Sequence, residues 1–121
     1  MKIWIILGAI FLALAILLGA FGTHIIKSKV SGELLNIYEI GIRYHVYHSF
    51  GLILIGLIGF HFNHNVVIWP AILILVGIII FSGSLYILSL SGIRWFGAIT
   101  PIGGIFFIFG WALLAINLIS Q

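Results

Sequence analysis

The feature that most constrains this chain is the spacing of its charges. Only seven residues carry one: Lys2, Lys27, Lys29, Glu33, Glu39, Arg43 and Arg94. Residues 3–26, 44–93 and 95–121 contain no Asp, Glu, Lys or Arg. A helix crosses the hydrocarbon of a bilayer with about 20 apolar residues. The first and last runs each fit one crossing. The middle run of 50 residues is too long for one and suits two. The polar stretch 61–65 marks the turn between them, and Trp69-Pro70 after it fits the first turn of a new helix, where proline's missing N–H costs nothing. Thr100 with Pro101 reads as a cap and first turn of a last helix. The sequence therefore predicts an all-α integral membrane protein, a four-helix transmembrane bundle. Residues 1–121 form one domain with spans over roughly 3–23, 44–61, 67–90 and 100–119.

Composition closes the alternatives. With 64% apolar residues and 6% charged, the chain cannot cover a soluble globule with polar surface, and disorder needs the opposite balance. The first apolar run exceeds the h-region of a cleaved leader, so it is expected to remain as a span. The pI near 9.6 comes from scattered groups with no Lys/Arg stripe, which excludes nucleic acid as a partner. The absence of Cys removes disulfides, thiolate metal sites and Cys nucleophiles.

The polar segment 24–43 ends in a stretch, 31–43, that reads as a short amphipathic helix in the first loop, lying in the interface before the second span. Leu34, Tyr38 and Ile42 share one face; Asn36, Glu39 and Arg43 share another. Glu39 and Arg43 form an i, i+4 pair in the favourable order, an expected interfacial ion pair. Counting Lys and Arg puts four in the first and third loops against Lys2 on the other side, which favours cytoplasmic loops.

Fifteen glycines point to close helix packing, since helices in lipid attract through contact rather than the hydrophobic effect. Gly8, Ala15, Gly19 and Gly22 form a stripe on the first helix, with Gly103, Gly104 and Gly110 on the last. The stripe serves either internal packing or a dimer face. Trp4 and Trp69 are expected at one membrane interface and Trp95 at the other.

Four crossings gather the uncharged polar residues near one surface: His24 at the end of the first helix, Tyr44, His45, Tyr47 and His48 at the start of the second, Ser82, Ser84 and Tyr86 late in the third, and Thr100 at the start of the fourth. An ionisable group within a span is a functional candidate. The same residues can instead form a hydrogen-bond network that fixes packing. His45 and His48, with His24 nearby, raise a Zn, Cu or haem site, but i, i+3 histidines arise readily by chance and no Asp exists to support them. No metal and no cofactor is expected. Ser82 or Ser84 with His48 lacks the third member of a hydrolytic triad, so no enzyme is expected. His61 and His64 read as solvated turn residues.

The motifs Gly19-Ala20-Phe21-Gly22-Thr23-His24, Tyr44-x-x-x-His48, Phe81-Ser82-Gly83-Ser84-Leu85-Tyr86 and Thr100-Pro101-x-Gly103-Gly104 resemble the small uncharacterised membrane proteins of the YgdD/YwdK type. The resemblance covers nearly the whole chain. It implies a four-helix protein of the bacterial inner membrane with no assigned biochemical role. His24, Tyr44, His48, Ser82, Ser84, Tyr86 and Thr100 match the family's motif positions. His45 stands where Gln is usual, which weighs against the His45/His48 metal pair, and Glu39 and Arg43 fall at positions variable in sign. Basic C-terminal tails in some relatives favour the opposite orientation, so topology stays open.

The sequence leads to a multi-pass protein of the cell (inner or plasma) membrane that is not an enzyme and acts through association, with membrane lipids and a homo-oligomer or partner membrane protein as contacts. The alternative is a binder or carrier of a small molecule, lipid or ion at the cluster around His48.

Overall fold

A computed structural model describes residues 1–121, and the chain is all-helical. Helix α1 runs Lys2–Ile26. It is α-helical over Lys2–Leu17, widens into a π-helical turn at Leu18–Gly22, and closes with an α turn at Thr23–Ile26. Beside the π turn the Tyr38 hydroxyl donates to the Leu18 carbonyl at 2.6 Å. Gly22 makes room for it, because a Cβ there would strike that hydroxyl.

Helix α2 runs Gly32–Ile58, and the Ser31 side chain caps it by accepting from the Leu34 N–H at 3.2 Å. The expected separate amphipathic helix is not present: residues 31–43 are the capped beginning of this 27-residue helix. No proline or polar turn separates Arg43 from Tyr44, and extending an existing helix adds a bond per residue without a new nucleus.

Helix α3 runs His64–Ser91, capped by the Asn63 side chain accepting from the Asn65 N–H at 3.1 Å. It starts earlier than the expected residue 67, so Pro70 lies inside it. A proline at 70 leaves the Val66 carbonyl without its i→i−4 partner, and the Asn117 side chain donates to that carbonyl at 2.9 Å. The helix stops at Gly92, whose φ of +71° is the chain's only positive value. Such a left-handed residue is a common helix stop, open to glycine because it has no Cβ.

A 3-10 turn, Arg94–Ala98, leads into α4, Thr100–Ile119. Thr100 does not cap α4 as expected. The turn feeds directly into the helix, so Ile102 N–H bonds Ile99 O, and the Thr100 hydroxyl is drawn to Ser84 instead.

Helices α2 and α3 form the centre. α1 packs mainly on α2 and α4 mainly on α3, and α4 also meets α2 where Phe107 stacks on His48. The outer helices turn Ile3, Ile10, Leu17, Ile105, Ile108 and Ile116 outward. The seams are glycine-lined. A Cβ on Gly8 would sit 2.8 Å from Ser49 O, one on Gly56 3.0 Å from Ile5 N, and one on Gly103 2.7 Å from Phe81 Cα. The α1 glycine stripe is thus filled by α2.

Leu52, Ile55, Val67, Ala71, Ile74 and Ile78 make the central core, and Trp4 packs into it at 7% exposure. Trp4 is thus turned into the bundle, whereas Trp69 and Trp95 are exposed. Three helices are long and apolar enough to cross a membrane: Lys2–Ile26, His64–Ser91 and Arg94–Ile119. α2 has the length, but its first half carries Glu33, Glu39 and Arg43.

Candidate functional site

The polar residues sit on α2 by a regular rule. Tyr38, Gly41, His45, His48, Leu52 and Ile55 are all buried, and their alternating steps of three and four make one inward stripe. That stripe is wide enough to face two neighbours, and it divides the expected cluster into three groups.

The first group lies between α1, α2 and α3. His45 Nδ1 and the Tyr86 hydroxyl are 2.9 Å apart. A phenol both donates and accepts, so the imidazole tautomer sets the direction of this bond. His45 Nε2 is buried without a hydrogen-bond partner, and the Phe11 backbone lies close to the ring. Ser82 donates to Gly41 O at 2.7 Å, and the Tyr38 and Tyr86 rings lie 5.3 Å apart. Gly41 permits this approach, since a Cβ there would come within 2.9 Å of Tyr86. A cavity of about 210 Å³ opens here, lined by Phe11, Leu14, Leu18, His45, Ile79 and Tyr86 among others.

The second group lies between α2 and α4. His48 Nδ1 is 2.8 Å from Tyr44 O; a carbonyl only accepts, so Nδ1 donates. The ring stacks on Phe107 at 3.5 Å between centroids, and Tyr44 leans on Phe81 at 4.5 Å. The third group is the Ser84–Thr100 hydroxyl pair at 2.6 Å, with Ser84 also donating to Phe81 O at 2.8 Å.

Of the expected site residues, the structure joins Ser82, Tyr86 and α2, pairs Tyr44 with His48, and pairs Ser84 with Thr100. His24 is exposed at the end of α1 and joins none of them. Neither serine hydroxyl reaches an imidazole; both donate to backbone carbonyls. His45 and His48 face different neighbours, so their spacing does not bring two imidazoles onto one ion.

Glu39 and Arg43 do not form the expected ion pair. The chain's one ion pair is Glu33–Arg94, a two-pronged contact at 2.9 and 3.1 Å across 61 residues of sequence. It ties the start of α2 to the turn before α4, and the guanidinium holds the Glu33 carboxyl below the ordinary carboxylate range. The planar fork of Arg94 matches both carboxylate oxygens of Glu33.

Sequence reasoning set aside His45, the most deeply buried histidine, and passed over the polar roles of Tyr38 and Asn117. The three-four stripe through Tyr38, His45 and Leu52 was the available signal for the first two. For Asn117 the signal was Pro70, which leaves a carbonyl that some distant donor must satisfy.

Comparison with known proteins follows the same lines. A family model described as a protein of unknown function (DUF423) matches residues 18–104, the stretch that holds all three polar groups. The UPF0382 membrane protein SSP2132 of Staphylococcus saprophyticus is 48% identical over 117 residues, covering 97% of each chain. SH2409 of Staphylococcus haemolyticus is 46% identical, covering 97% of this chain and 95% of its own. YwdK of Bacillus subtilis is 42% identical, covering 96% and 95%. No solved structure matches. The family match over most of the chain and the near full-length similarity to UPF0382 membrane proteins lead to one conclusion: this chain belongs to the DUF423 family of membrane proteins.

Proposed function

We propose that this chain is a four-pass, non-catalytic protein of the cell membrane that acts by associating side by side with a second copy of itself. The observation that carries the association is Gly83. The seam glycines of α1 and α4 are filled from within the chain, but a Cβ on Gly83 would meet nothing. It lies on the outer face of central helix α3 between Ile79 and Ile87, at the floor of a groove of about 370 Å³. Small residues exposed toward lipid mark places where another helix approaches closely.

The non-catalytic reading rests on the engagement of Ser82 and Ser84 with backbone carbonyls, away from any base. The fourth crossing is supported by α2 itself. Its 27 residues rise about 40 Å, and it packs along both α1 and α3.

Cysteine scanning tests both parts, since the chain has no Cys of its own. Four crossings place Lys29→Cys and Ile93→Cys on one side of the membrane and Phe62→Cys and Gln121→Cys on the other. Gly83→Cys is expected to crosslink copies in native membranes while Ile108→Cys, on the outer face of α4, does not. A Gly83→Cys chain that stays monomeric sinks the association.

A second reading has its own observation, the unpartnered His45 Nε2 beside the cavity between α1 and α3. With its hydrogen on Nε2 the ring offers a donor without an acceptor, which suits a small lipid-soluble molecule with a carbonyl oxygen. Mass analysis of compounds copurifying with the wild type and with His45→Phe tests it. An empty wild-type chain rejects it.

A further inference from the structure

Glu39 and Arg43 hold a second, independent feature. They stand one turn apart on α2 in the order that favours mutual pairing, yet they form no ion pair. Both instead line a pocket of about 310 Å³ with Gly19, Thr23 and Ile42. Gly19 contributes backbone packed close to Ile42, and Thr23 a hydroxyl. α1 ends at Ile26, so at 1.5 Å per residue Thr23 lies about 5 Å and Gly19 about 10 Å from its end. With the end of α1 at the membrane surface, that is the depth at which headgroups meet hydrocarbon.

Two opposite, unpaired charges at that depth are costly unless matched. A bilayer offers one abundant kind of group with both charges at short separation: a phosphodiester followed by a primary ammonium. We propose that Glu39, Arg43 and Thr23 form a binding site for a phosphatidylethanolamine headgroup. Arg43 meets the phosphate with its planar fork. Glu39 accepts from the ammonium, and Thr23 donates to a phosphate oxygen. A glycerol headgroup leaves Glu39 facing no cation. A choline headgroup carries its charge on a nitrogen with no N–H to donate.

The test is native mass spectrometry of the full chain, released from micelles holding equal amounts of phosphatidylethanolamine, phosphatidylglycerol and phosphatidylcholine. The wild type is expected to retain phosphatidylethanolamine in preference to both others. Glu39→Gln, which removes one charge-assisted bond, lowers that retention about tenfold and leaves phosphatidylglycerol unchanged. Arg43→Gln lowers both. Glu39→Lys inverts the preference toward phosphatidylglycerol, a gain that misfolding cannot produce. Equal retention of the ethanolamine and choline lipids by the wild type overturns the proposal, as does an ethanolamine preference that survives Glu39→Gln. Retention of soluble phosphoethanolamine in preference to the lipid at equal concentration overturns the lipid as its source.

Discussion

Gly103→Ala tests how tightly α3 and α4 are joined. The added methyl would lie 2.7 Å from both Cα and Cβ of Phe81, and closer still to the Phe81 backbone nitrogen. Carbon atoms rest at about 3.5–4.0 Å, so α4 must withdraw by about 1 Å. The obstacle is helix backbone, which cannot swing away as a side-chain tip can. Overpacking of this kind costs about 1–3 kcal/mol, and alanine's better helix propensity returns at most about 1 kcal/mol. The neighbouring position is the control. A Cβ on Gly104 would lie 3.9 Å from the Phe81 ring, an ordinary contact, so Gly104→Ala is expected to be neutral or stabilising by up to about 1 kcal/mol. The two variants add the same methyl to adjacent residues and should differ by about 2 kcal/mol. Unfolding by SDS in mixed micelles, followed by tryptophan fluorescence, measures the difference. If Gly103→Ala unfolds at the same midpoint as Gly104→Ala, the seam is not set by this backbone contact and the reasoning fails.

Three further outcomes follow from the hydrogen bonds and the ion pair. Asn117→Leu strands the Val66 carbonyl and should cost about 1 kcal/mol. In a Pro70→Ala background, where residue 70 regains an N–H for that carbonyl, the same change should cost close to nothing; additive losses would refute the link. Tyr86→Phe leaves His45 with no bonded ring nitrogen and should destabilise by about 1–3 kcal/mol, and adding His45→Leu should recover most of it. The Glu33 carboxyl is held below its ordinary value of 4.5 by Arg94. A depressed carboxylate contributes stability above its unfolded value and loses it as pH falls through the folded one. The stability gap between wild type and Glu33→Gln should therefore exist at pH 7, close in strong acid and shrink in high salt; a gap that widens in acid would contradict the pairing.

The elements differ in how legible they were, for physical reasons that can be named. Pro70 was read as a helix start because proline tolerates the first turn. The Asn63 cap extended the helix upstream, and Asn117, 51 residues away, made an internal proline tolerable. Glu39 and Arg43 were paired from local spacing, but Arg94 reached Glu33 across the fold. The cluster around His48 was gathered from position along the helices, and the structure divides it by direction, because helix faces point at different neighbours.

By itself the sequence determined the class: an all-helical chain of long apolar runs that belongs in a membrane. That follows from quantities additive along the chain: apolar run length against membrane thickness, and charge spacing against the cost of burying charge. Only the tertiary structure decided which glycines are filled and that Gly83 is bare. It also decided that His45 and not His48 lacks a partner, and that Glu39 and Arg43 remain free. These depend on which helix stands opposite which face, and a one-dimensional pattern carries depth along a helix but not the identity of its neighbour.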